Sequence, residues 1–268
     1  MRRKPAVAGY FYPSHSRELT RMIENYVESD QDRIKAKAVI SPHAGYIYSG
    51  AVAGAVFSSV KLPERYLLLG PNHREVPTLM ATYPDGSWET PLGELKIDSS
   101  LKKKIIDNCS LVEESEEAHA YEHSIEVQLP FIQYFCPAAS IVPIAISYYA
   151  HFTQIEELGQ AIGEAVLTEK EPILIVASTD MSHYVPAETA QEKDNLAIRK
   201  VEELDAQGLI ETVRKKNISM CGYLPTAVAI IAAKRMGAKK GELIKYQTSG
   251  DVSGDYSEVV GYAGIRIY

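Results

Sequence analysis

Three stretches of the chain follow one plan: a short apolar run, then a tight polar turn that carries a histidine. Ala38-Val39-Ile40 leads into Ser41-Pro42-His43-Ala44-Gly45-Tyr46. Tyr66-Leu67-Leu68-Leu69 leads into Gly70-Pro71-Asn72-His73, and Ile173-Leu174-Ile175-Val176 into Ser178-Thr179-Asp180-Met181-Ser182-His183. Continuous apolar runs of this length suit strands buried on both faces, which is the condition of parallel strands between helices. If the three runs are parallel strands of one sheet, all three histidines leave the same edge. Open α/β sheets bind ligands outside the carboxyl ends of their strands. Imidazole is also the commonest metal ligand and transfers protons near neutrality.

The rest of the chain alternates in the same sense. Apolar spacing predicts helices over 17–27, 50–60, 99–107, 123–135, 155–167, 189–203, 209–216 and 222–236. Strands are expected over 36–41, 66–70, 141–146, 173–178, 243–248 and 259–267. Pro84-Asp85-Gly86 and Pro91-Leu92-Gly93 are turn signals within 78–98, where an inserted antiparallel hairpin fits. The acidic stretch from Glu113 to Glu117 reads as a solvated face. No repeat or linker divides the 268 residues, so the expectation is one α/β domain over 1–268, a largely parallel central sheet flanked by helices, with a smaller antiparallel element.

Bulk properties narrow the function. A formal net charge of -7 argues against a general nucleic-acid binder. No apolar run approaches the roughly 18 to 20 residues that span a bilayer. Met1-Arg2-Arg3-Lys4 is not followed by the apolar stretch of a signal peptide. A cytoplasmic protein without nucleic-acid or membrane partners is the expectation. Three cysteines with no C-x-x-C pair agree with a reducing compartment. No G-x-G-x-x-G, P-loop, H-E-x-x-H or G-x-S-x-G occurs, which counts against nucleotide binding and serine-hydrolase chemistry.

Several residues can carry chemistry. His43 has small neighbours and His73 follows the compact turn Gly70-Pro71-Asn72, and the strand-end position they share raises both above ordinary surface histidines. Asp180 and His183 are three apart, and on a helix they would share a face as an acid–base pair; the plainer reading is an Asp cap beside an exposed histidine. Cys221 precedes Gly222 and an apolar helix, a place where a thiol pKa falls and the metal-binding thiolate is favoured. Cys109 and Cys136 read as structural. Glu122-His123-Ser124-Ile125-Glu126 opens a helix, so His123 can protonate or orient a substrate and Glu126 can bond a polar group in the cleft, or both acids simply favour the helix dipole. His15, His119 and His151 read as exposed.

These motifs, with Ala6-Val7-Ala8-Gly9-Tyr10-Phe11-Tyr12-Pro13 at the start and Cys221-Gly222 near the end, resemble the Memo family in order through nearly the whole chain. The prokaryotic branch of that family is component B of the AmmeMemoRadiSam system, which implies a functional link to a radical-SAM protein. The resemblance implies the fold of class III extradiol dioxygenases, which hold Fe(II) through two histidines and a glutamate. Carried over by motif, His43 and His73 would be metal ligands, Cys221 would stand in the place of the glutamate, His183 would be the acid–base group near Asp180, and His123 would line the pocket. A thiolate is softer than a carboxylate and suits copper or zinc as well as iron. The implied protein is therefore a redox protein using Fe(II) or copper, with zinc as a further metal and a small-molecule or peptide ligand in the cleft. The competing readings are a non-enzymatic peptide or small-ligand binding module and a zinc-dependent hydrolase.

Overall fold

The central strands lie where the apolar runs put them. The structure, a computed structural model, describes residues 1–28, 32–74 and 76–268. In chain order the first half comprises β1 (Arg2–Arg3), α1 (Ser16–Glu24), β2 (Ala38–Ser41), α2 (Tyr46–Ser58), β3 (Arg65–Pro71), β4 (Met80–Thr82), β5 (Ser87–Thr90), β6 (Gly93–Ile97), α3 (Ser99–Asn108), β7 (Val112–Glu114), α4 (Glu117–Ala120) and α5 (Leu129–Phe135). The second half comprises β8 (Ser140–Ile146), α6 (Phe152–Leu167), β9 (Ile173–Ser178), β10 (His183–Val185), α7 (Ala187–Glu202), α8 (Ala206–Lys215), α9 (Tyr223–Arg235), β11 (Gly241–Thr248), α10 (Gly250–Ser253) and β12 (Val259–Ile267).

The sheet runs β1-β5-β6-β8-β3-β9-β2-β12-β10. Its middle, from β6 through β8, β3 and β9 to β2, is parallel throughout. Antiparallel pairing enters at β12, which runs against β2, β10 and β11, at β4, which runs against the end of β8, and in the β5–β6 hairpin, where the turn signals placed it. This is one α/β fold around a mixed, mostly parallel sheet.

Side chains of a strand point alternately to opposite faces. Here each face meets its own helices, so every position is apolar. Ile40, Leu67, Leu69, Ile175 and Ala177 belong to the core under α6 and α9. Val39, Tyr66, Leu68, Leu174 and Val176 belong to the core under α1, α2 and α5. Because β2, β3 and β9 are parallel neighbours, their carboxyl ends lie side by side and the turns that follow converge.

Three local expectations are corrected. Residues 123–135 are not one helix: a turn leads into a single 3-10 turn at Glu126–Gln128, and α5 starts at Leu129 with Pro130 in its first turn, where proline needs no amide partner. Asp180 and His183 do not share a helix face, because His183 begins β10 and pairs with Val260. His119 is not exposed but fully buried, its Nε2 donating to the Ala81 carbonyl at 2.9 Å. His15 and His151 are exposed. Among the described residues no helix is long and apolar enough to cross a membrane.

Candidate metal centre

Beyond the ends of β2 and β3, three imidazoles meet. The ring centroids of His43 and His73 are 5.4 Å apart, those of His43 and His123 5.4 Å, and those of His73 and His123, nearly parallel, 4.8 Å. One ring nitrogen of each lies within 4.8 Å of the others, a group able to hold a metal ion. Among the described residues this is the one such group of three or more histidines, cysteines or acids.

Hydrogen bonds assign the ring protons. Ser178 Oγ donates its single proton to the Ser124 carbonyl at 2.6 Å and receives Gln128 Nε2 at 2.8 Å. It can therefore only accept from His43 Nδ1, 2.9 Å away, which leaves the His43 lone pair on Nε2. His73 Nδ1 sits 2.9 Å from Glu122 Oε1, and a carboxylate accepts, so the free lone pair of His73 is also on Nε2. A partner on one ring nitrogen fixes tautomer and orientation for a ligand on the other.

Glu122 is the support that residue-by-residue reading left without a role. Burial works to raise its pKa, but the bonds from His73 Nδ1 and the Ser124 amide, with the imidazoles of His73 and His123 at its side, outweigh burial and hold it well below the usual carboxylate range. Its Oε2 also accepts the His73 amide at 2.6 Å. Gly70 lets this turn approach: a Cβ there would lie 2.5 Å from Ser124 Oγ and 2.7 Å from Ile125 Cγ1. Ser178 was visible within its motif, whereas nothing local marks Gln128, whose task depends on a residue 50 positions away.

His43 is buried, and burial together with the neighbouring His123 and His73 lowers its pKa far below the ordinary imidazole value. Burial lowers His123 against the pull of Glu122. Both rings are neutral at pH 7, the form that binds metals. Phe11 packs on His123 with centroids 4.8 Å apart, and Tyr148 closes on His73 at 6.3 Å.

Cys221 lies beside this group, its Sγ 3.3 Å from His43 Nε2. Gly222 makes the approach possible, since a Cβ there would sit 2.3 Å from the Ser178 carbonyl oxygen. The expected lowering of the thiol pKa is corrected: burial first, then the Asp180 carboxylate, push it up. The helix α9 begins only at Tyr223, and its amides do not overcome those two effects.

Asp180 fastens the other wall. Its Oδ1 accepts the His43 amide at 2.8 Å and the Ala44 amide at 3.3 Å, while burial raises its pKa to about 6 in spite of those bonds. His183 lies near both Asp180 and His43. Its Nδ1 donates to the Ser219 carbonyl at 2.9 Å, which leaves Nε2 with a lone pair. The next residue, Tyr184, holds φ at 55°, a left-handed conformation that is uncommon for a bulky side chain. Glu126 does not reach the cleft; it accepts Arg3 Nη1 at 2.6 Å, the amides of Ala6 and Val7, and the Tyr12 hydroxyl.

The structure thus groups His43, His73 and His123, places Cys221 against His43, holds the His43 backbone with the buried Asp180, and leaves His183 partly exposed beside them. A solved structure of an uncharacterized protein from Escherichia coli K12 has a similar fold, with TM-score 0.55 over 85% of this chain and 99% of that one at 13% identity. In sequence the chain is 44% identical to a MEMO1 family protein of Methanopyrus kandleri, over 99% of this chain and 98% of that protein. It is 42% identical to a MEMO1 family protein of Aquifex aeolicus over 98% of each. The Memo-like protein family matches residues 3–266, and the chain belongs to that family.

Proposed function

We propose that the chain holds a redox-active metal ion, iron or copper, through His43, His73 and His123, with the Cys221 thiol beside them as a further donor. The carrying observation is the donor set: three imidazole nitrogens within 4.8 Å of one another, with Nδ1 of His43 and of His73 engaged by Ser178 and Glu122. Such an ion, when bound, supplies a Lewis acid and an electron partner for a small oxidisable molecule. Glu122 keeps the His73 ring turned and its Nε2 electron-rich. His183 Nε2 accepts a proton from a ligand entering the cleft, and Asp180 beside it stabilises the resulting cation. Phe11 and Tyr148 give the ligand apolar walls, which suits a small molecule or the side chain of a peptide.

Metal analysis of protein purified anaerobically tests this. Iron or copper is expected at one ion per chain, with loss in His43→Ala, His73→Ala and His123→Ala. Cys221→Ser should retain the fold and remove a thiolate charge-transfer band. Protein that takes up neither Fe(II) nor Cu(I) in titration is incompatible with the reading. An all-nitrogen group also favours a second reading, zinc-activated water, since three histidines are one donor set of catalytic zinc sites that activate water. Zinc in the purified protein, no spectral change in Cys221→Ser, and ester hydrolysis lost with His73→Ala would select it.

A further inference from the structure

The strands that end at the histidines begin around a second cavity. The approach to β2 carries Lys35 and Lys37, the approach to β3 carries Lys61 and Leu62, and the approach to β9 carries Lys170. Together with Leu167 of α6 and Met236 beyond α9, they line a cavity of about 500 Å³ at the amino ends of the parallel strands, the sheet edge opposite the histidines. That size falls within the roughly 300–1,000 Å³ range of small-molecule sites.

Its lining gathers four cations and an exposed apolar side chain. Lys35, Lys37, Lys61 and Lys170 have no carboxylate partner among the described residues. The one nearby acid with partners, Glu169, is already bound to Arg65 and Lys104. Glu171 alone cannot balance four cations around one hollow. Leu167 is 53% exposed, on the side where the lysines gather. Lysines elsewhere on the chain are found both paired, as Lys4, Lys103, Lys200 and Lys245 are, and unpaired; what sets this place apart is that four unpaired ones line a single cavity.

We infer that this cavity is a binding site for a small amphipathic anion, a carboxylate or phosphate head group on a short apolar body. Four cations select the head group, and the Leu62, Leu167 and Met236 surface selects the body. A bare ion would leave the leucine uncovered, and a neutral apolar molecule would leave the charges unanswered. The site is independent of the metal centre and does not rest on the reading given for it.

The test is fluorescence titration with anilinonaphthalene sulfonate, an apolar anion, on the full chain. Saturable binding at one molecule per chain is expected, displaced by decanoate and weakened as NaCl rises from roughly 50 to roughly 500 mM. Both Lys37→Glu/Lys61→Glu and Lys35→Glu/Lys170→Glu should raise Kd about tenfold, the loss of two favourable charges being replaced by repulsion. His73→Ala should leave Kd unchanged. Binding that both double variants retain, binding lost in His73→Ala, or displacement by inorganic phosphate but not decanoate would each overturn the assignment.

Discussion

At the scale of residues, the buried polar groups are the ones whose replacement has a defined sign. His119 donates from Nε2 to Ala81, while its Nδ1 is buried with no partner, so a second proton would create an unsatisfied buried donor. Burial accordingly lowers its pKa from 6.5 to about 4. Between those values the unfolded chain binds more protons than the folded one, so stability rises with pH there. His119 stabilises fully above pH 6.5, and about 3 kcal/mol is lost as pH falls toward 4. Urea unfolding between these pH values should show that slope, and His119→Gln should flatten it. Glu122→Gln is expected to lower metal affinity about 10- to 100-fold while leaving all three imidazoles in place, because it removes the anion that orients His73. Calorimetric titration with Zn²⁺ reads this, and an unchanged affinity would show that Glu122 only maintains the loop.

At the scale of elements, the segment before α1 behaves as a strap across the site. Arg3 is buried, donates to the carbonyls of His119 and Glu122 at 2.7 Å each, pairs with Glu126, and stacks 4.1 Å over Trp88. The same segment delivers Phe11 to His123 and accepts the Tyr46 amide through the Phe11 carbonyl. It therefore ties the turn that carries Glu122 and His123 to the start of α2. Arg3→Met leaves the buried Glu126 carboxylate without its cation and should cost about 3 kcal/mol in urea unfolding. Arg3→Met/Glu126→Gln should recover part of that loss, because the neutral amide oxygen still accepts from this pocket without a buried charge to balance, which a purely steric role for Arg3 would not allow.

Elements also differ in how far they could be read from local pattern. The strand Ile173–Ser178 and the strand Val259–Ile267 have the boundaries their apolar runs imply, since burial on both faces leaves no ambiguity of period. The turn before α5 and the short β10 escaped, because apolar spacing in 123–135 is satisfied by either a helix or a turn packed under Phe11. His183 extends as a strand only because β12 offers an open edge there. Arg3 carried no signal as a core residue; the carbonyls and the carboxylate that hold it in the core lie 116 to 123 positions away.

At the scale of the whole molecule, the sheet order brings residues 43, 73, 123 and 221 together, so a ligand held by them links distant parts of the chain. Ions that bind the folded state alone stabilise it by mass action. At a free concentration of about 100 times Kd the gain is about 2.7 kcal/mol, roughly 5 °C in Tm for a chain of this size. Thermal unfolding with and without Zn²⁺ should show that shift, and His73→Ala should abolish it.

By itself the sequence determined the α/β class, the buried parallel strands and the convergence of their histidine turns, because runs that are apolar at every position have one stable environment. It also carried the family, through short motifs spread over the whole chain. Only the tertiary structure decided that His123 stands with His43 and His73, that Glu122 and Ser178 set their ring protons, and that Cys221 reaches His43 through the space left by Gly222. These are contacts between turns on different strands, and strand order, not local pattern, chooses which turns meet.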